Sequence, residues 1–182
     1  MRWIWVFTGI MLWFVSLSWS GEHSSPYVGQ EGRKIKALSE EEVQGYLSGS
    51  GMGLAKAAEL NHYPGPRHVL ELAEQLQLSE EQRQRTQAIF EAMRAEAVSL
   101  GKQLVDRERL LDAHFAAGKI SAAEVEKLVA EIATLSGRLR AVHLKAHIAQ
   151  KEILTPQQMS RYDALRGYHE SGHQMPPHRS GH

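Results

Sequence analysis

The sequence contains no cysteine among its 182 residues, which removes disulfides, thiolate metal sites and cysteine nucleophiles together. Net charge is lacking too. Twenty-one basic residues balance 21 acidic ones, so no global field draws the chain to nucleic acid or to an acidic membrane surface. There is no glycine-rich phosphate loop and no Gly-x-Ser-x-Gly turn. Gly49-Ser50-Gly51 has no preceding strand to make it a nucleophile turn. No stretch alternates apolar and polar residues with period two, so no strands are expected. What these absences leave is an all-α, non-enzymatic protein without an organic cofactor. Its chemistry is confined to histidine, carboxylate, methionine and hydroxyl groups.

Long apolar runs are also scarce, with one exception at the start. Arg2 is the only charge before Glu22, and Trp3 to Trp19 is almost continuously apolar, with small residues at Ser18 and Ser20. Residues 1–20 therefore read as a secretory signal cut after Ser20, or as an uncleaved N-terminal anchor. The run lies at the short end of the membrane-spanning range, and its tryptophans blur the apolar region. Either way the rest of the chain is expected outside the inner membrane, in the periplasm. Residues 21–37 mix Gly, Ser, Pro and charge without periodicity and read as a flexible linker.

From residue 38 onward the helix starts are written in the capping residues. Ser39 with Glu42, Ser79 with Gln82, Ser121 with Glu124 and Thr155 with Gln158 each form a Ser/Thr-x-x-Glu/Gln box. They set helix starts near residues 40, 80, 122 and 156. After Ser79 apolar residues recur at Phe90, Met93, Ala97, Leu100, Leu104, Leu111 and Phe115. After Ser121 they recur at Val125, Leu128, Ile132, Leu135, Leu139, Val142, Ala146, Ala149 and Ile153. The three-four spacing is the seam of a helix packed along a partner. Gly118-Lys119 supplies the turn, so a long antiparallel hairpin is expected. Met52–Leu60 and Pro66–Leu76 read as short helices on either side of Tyr63-Pro64-Gly65-Pro66, and Pro156–Tyr168 as a closing one. Residues 38–168 thus form the helical domain. Residues 169–182 have little that can pack and read as a disordered tail.

Histidine is the remaining chemistry. His143 and His147 stand four apart, on one face of a helix, a spacing that suits a transition ion such as nickel, cobalt, zinc or copper(II). The bland alternative for the same pair is a structural one, hydrogen-bonding across helices or facing solvent. Folding about Gly118-Lys119 brings 143–147 level with about residues 91–96, which offers Glu91 and Glu96 as carboxylate ligands. His68 can approach from the short helix. His169, His173, His178 and His182, with Met175, form a second, looser metal-binding tract or a merely solubilising tail. Val129, Leu144 and Ile148 lie off the seam, and a hairpin alone cannot bury them. The short helices, a second protomer or a client must cover them.

Leu78-Ser79-Glu80-Glu81-Gln82 and Leu154-Thr155-Pro156-Gln157-Gln158 resemble the paired Leu-Thr-x-x-Gln motifs of the Spy/CpxP family of periplasmic proteins, the first with Ser for Thr. Leu60–Leu70, Arg140-Ala141-Val142-His143 and Tyr162-Asp163-Ala164-Leu165 resemble its heavy-metal sensor and resistance branch, with CnrX-like and ZraP-like members. The likeness spans residues 38–168. It implies a hook-shaped helical hairpin that forms a homodimer and binds a divalent transition metal for sensing or resistance. It also carries two other roles. One is an ATP-independent chaperone holding unfolded clients. The other is a CpxP-like regulator of a membrane stress sensor or of a sigma-factor regulatory membrane protein. In CnrX-like relatives a His-x-x-x-Met pair lies on the second long helix. Here His143 begins a similar pair and His147 takes the place of methionine. Neutral overall charge favours the metal-binding role over a basic chaperone cradle.

Overall fold

The structure, a computed structural model, describes residues 24–168; the apolar N-terminal run and the histidine-rich tail lie outside them. Residues 24–31 fall in a separate unit of turns. The helical unit begins at Gly32 and holds six helices among the described residues: α1 (Glu40–Ser48), α2 (Lys56–Glu59), α3 (Pro66–Glu71), α4 (Glu80–Ala116), α5 (Ala122–Lys151) and α6 (Pro156–Arg166). No strand occurs among the described residues; the one bridge pairs Ile35 with Leu38.

The four long or well-capped helices start where their boxes dictate. In each, the Ser or Thr oxygen accepts the N3 amide while the N3 side chain takes the cap amide, which satisfies two otherwise orphaned donors. The boxes of α4 and α6 do more. Gln82 Nε2 donates to Gln158 Oε1 at 2.8 Å and to the Ile153 carbonyl at 2.9 Å. Gln158 Nε2 donates back to Gln82 Oε1 at 3.0 Å and to the Leu76 carbonyl at 3.2 Å. The two pentapeptide motifs are thus one structure: two caps whose glutamines clasp each other and tie both helix starts to the loops beside them.

α4 runs 37 residues, about 55 Å at 1.5 Å per residue. Gly118, at φ +63°, turns the chain into α5. Between them lies the main core of Ala97, Leu100, Leu104, Leu135, Leu139 and Val142. α1 crosses α4 at Gly101, where a Cβ would collide with the Tyr46 carbonyl oxygen. A second core of Val69, Leu76, Leu154 and Tyr162 seals the open end of the hairpin beneath α3 and α6.

The structure differs from the sequence expectations at several points. The helix expected over Met52–Leu60 is confined to Lys56–Glu59, because Met52 and Gly53 both take positive φ. That expected from Pro66 to Leu76 ends at Glu71, and turns continue to Gln77, itself at φ +51°. The last helix stops at Arg166, capped by left-handed Gly167. Ile35, inside the stretch read as linker, is buried with Leu38 and Val105. It is a lone apolar residue among charges, so it left no period to detect. Phe115, expected in the seam, is 58% exposed, because no third element covers the tip of the hairpin.

Candidate functional site

The base of the hairpin is where α5 meets the loops around α2 and α3. The seam residues Leu139, Val142 and Ala146 are buried, and His143 and His147 beside them are carried inward with only 3% and 8% exposure. Loop glycines lie over both rings, and one of them is needed there for space. Gly51 sits against His143. A Cβ on Gly65 would stand 2.9 Å from His147 Cε1, 3.1 Å from its Nε2 and 3.5 Å from Glu59 Oε2. Gly65 is thus required for space, and His147 Nε2 and Glu59 Oε2 converge on it.

Each polar atom here can be followed to its partner. His147 Nδ1 lies 2.7 Å from the Tyr63 carbonyl. A carbonyl can only accept, so Nδ1 carries the proton and Nε2 is left with the lone pair. Lys151, stacked 3.7 Å over the Tyr63 ring, steadies that loop. Glu59 Oε2 is 3.6 Å from His147 Nδ1. Glu59 Oε1 accepts from the Tyr162 hydroxyl at 2.6 Å and the Tyr168 hydroxyl at 3.2 Å, with Arg166 Nε at 3.5 Å. Burial, and then the Glu59 contact, pushes the Tyr162 phenol far above its ordinary range, so it stays a donor.

Two atoms stand apart. His143 Nε2 and Glu59 Oε2 are buried without a hydrogen-bond partner. A buried polar atom left unpaired costs about 1–3 kcal/mol, and such atoms in native proteins call for a ligand, an ion or a water. Burial, and then the charge of His147, lowers the pKa of His143, which keeps its imidazole neutral at pH 7 and its lone pair free. A third orphan, Gln150 Oε1, lies deeper on α5, where Gln150 Nε2 donates to Thr86 Oγ1 at 3.2 Å.

His143, His147, Glu59 and His68 all line one cavity of about 810 Å³. His68 Nδ1 is 2.9 Å from Glu71 Oε2. Hydrogen bonding to His68 lowers the pKa of Glu71, so the carboxylate accepts and His68 too presents Nε2 as its lone-pair nitrogen. Glu91 and Glu96 are elsewhere. Both are exposed, Glu91 takes a 2.6 Å hydrogen bond from Gln87, and neither lines the cavity. The turn of α4 facing the histidines presents Phe90 and Met93 instead. Among the described residues no three His, Asp or Glu side chains already form a cluster able to hold a metal ion. The histidines His169, His173, His178 and His182 lie outside the described residues.

The sequence profile of the heavy-metal resistance family matches residues 51–161, from the loop against His143 to the helix that carries Tyr162. The chain belongs to this family. The heavy-metal resistance family shares the Spy/CpxP-like helical fold and is of a non-enzymatic, resistance type. Its members are typically exported, and among the described residues no helix is long and apolar enough to cross a membrane. Comparison with curated proteins and with solved structures gives no match.

Glu59 is the residue that sequence reasoning missed. It sits on a four-residue helix too short to show a period, among Ala57, Ala58 and Leu60. The nearby Tyr63-Pro64-Gly65-Pro66 was the available signal, since a rigid turn so close forces that short helix against its neighbours.

Proposed function

We propose that this is an exported, non-enzymatic metal-binding protein serving heavy-metal sensing or resistance. His143 and His147 supply imidazole nitrogens to a divalent transition ion at the base of the hairpin, and Glu59 supplies a carboxylate. The observation that carries this is the pair of buried, partnerless atoms, His143 Nε2 and Glu59 Oε2, lining one cavity with a histidine whose tautomer is fixed from behind. Two neutral imidazoles and one carboxylate suit nickel, cobalt, zinc or copper(II) over calcium or magnesium, which take oxygen ligands. His68 is the nearest further imidazole in the cavity wall. A single nearby carboxylate leaves the bound ion positively charged, so affinity rests on the imidazoles.

Calorimetric titration of the full chain with nickel, cobalt, zinc and copper(II) tests this. Replacing both His143 and His147 by Ala should remove the tightest binding event while the helical signal is kept; unchanged tight binding in that variant would refute the proposal. Exposed Leu110, Phe115, Val129 and Ile148 favour a second reading, in which the hairpin holds an unfolded client or a second protomer. Suppression of aggregation by the metal-free protein would support that reading.

A further inference from the structure

The cavity at the base carries more positive charge than the site of a bare cation calls for. Lys56, Arg67, Arg94 and Arg166 line it, and Glu59 is its one acidic lining residue. These cations are not the solvated face of one helix. They come from α2, α3, α4 and α6, four elements that the fold brings to a single wall. Arg67 is matched by Glu71 at 2.9 Å, and Arg166 lies 3.5 Å from Glu59 Oε1. Lys56 and Arg94 have no ion-pair partner among the described residues, and Arg94 Nε only reaches the Ser48 carbonyl at 3.4 Å. A divalent ion beside Glu59 adds further positive charge to that wall, and like charges in a partly desolvated cleft repel. The volume is in excess as well. About 810 Å³ is the size of a pocket for a small organic molecule, whereas one water takes about 30 Å³.

We infer that a small organic dicarboxylate enters this cavity together with the ion, one carboxylate on the metal and the other on Lys56 and Arg94. This rests on the metal-binding function proposed above and specifies what the site takes up. Three features select the class of ligand. The described residues hold no ready cluster of three His, Asp or Glu side chains, so His143, His147 and Glu59 leave coordination positions for an outside donor. A carboxylate fills such a position and cancels the charge that Glu59 leaves on the ion. At the rim, an ammonium and a guanidinium are the partners a second carboxylate takes, the guanidinium with its two-pronged fork. Phe90 and Met93 give the carbon chain between the two carboxylates an apolar wall. A single inorganic oxyanion has no second group with which to span from ion to rim.

Equilibrium dialysis of the full chain with radiolabelled succinate, with and without one equivalent of Co²⁺, tests this. Succinate is the probe because its carboxylates stand too far apart to chelate free cobalt tightly. One succinate should bind per cobalt-loaded chain, at least about tenfold tighter than to the metal-free chain, and should tighten cobalt by the same factor. K56A/R94A should lose at least about tenfold in succinate affinity, the weight of one charge-assisted hydrogen bond, while cobalt alone binds as tightly or tighter. Both side chains belong to exposed residues, so their loss spares the packed core. Succinate affinity unchanged in K56A/R94A, or equal with and without cobalt, would overturn the inference while the base site stood. Inorganic phosphate bound as tightly as succinate would overturn the choice of a dicarboxylate. No cobalt uptake, or uptake unaffected by H143A/H147A, would instead refute the base site and the joint site with it.

Discussion

The two ends of the hairpin are built from the same amphipathic helices and end up as different materials. At the tip, Leu110, Phe115 and Val129 stand 37%, 58% and 48% exposed, and besides the two long helices only the segment at Ile35–Leu38 reaches α4, at Val105 and Asp112. At the base, α2, α3 and α6 add a further layer, Tyr162 is 1% exposed, and three buried polar atoms lack partners. A helical seam becomes a core only where a third element covers it. Covering a seam that carries histidines, in turn, desolvates them. The base therefore gives up polar satisfaction, and the proposed ion site rests on that unpaired state.

The sharpest way to break this contrast is to truncate one apolar side chain in the covered part of the hairpin and one at the tip. Leu100→Ala, at a position 2% exposed, should cost about 3 kcal/mol, whereas Phe115→Ala should change stability by no more than about 0.5 kcal/mol. Urea unfolding followed by circular dichroism measures both. Equal costs would mean that the tip is covered by a second protomer in solution.

A smaller effect is expected from the glutamine clasp. Gln158→Ala removes both amide contacts to Gln82 and leaves the Leu76 carbonyl without its donor, at a cost of about 2 kcal/mol in the same assay. Thr155→Ala leaves the clasp in place and removes only the cap, at about 1 kcal/mol. A clasp variant no worse than the cap variant would show that the paired motifs act only as separate helix starts.

How much of this was legible depends on the range of the interaction. Caps are local, so Ser39, Ser79, Ser121 and Thr155 marked the helix starts from sequence alone. Hairpin register needed only a turn and a period. The Thr86–Gln150 contact and the Arg107–Glu131 ion pair at 3.2 Å fit the fold about Gly118 that sequence reasoning used. Rotation about the helix axis was not legible. Residues 143–147 do face the turn of α4 near residue 91, yet that turn points Phe90 and Met93 inward and Glu91 and Glu96 to solvent. Glu59 and Ile35 were hidden for a different reason. Each is placed by contacts distant in sequence, and neither lies in a segment long enough to show a face.

The smallest effect separates the two kinds of cap. Contacts from Ser39, first its backbone amide and then its hydroxyl, hold the Glu42 pKa below its ordinary 4.5. A carboxylate whose pKa falls on folding adds stability above the unfolded pKa and loses it as pH drops through the folded value. Acid should therefore release the Glu42 cap and fray the first turn of α1 below about pH 4.5, while the Gln82 amide that caps α4 has no proton to take up in that range. Backbone ¹³Cα shifts across that range measure it, and Glu42→Gln should abolish the difference.

The central proposal is that the base of the hairpin holds an ion through the imidazoles of His143 and His147, the latter already set in one tautomer. Long-range ¹H–¹⁵N spectra of the histidine rings, recorded at pH 7 with and without one equivalent of Zn²⁺, test it most directly. The account predicts that Nε2 of His143 and of His147 shift together while His147 keeps its proton on Nδ1. Zinc-induced shifts confined to His169, His173, His178 and His182, with His143 and His147 unmoved, would contradict it.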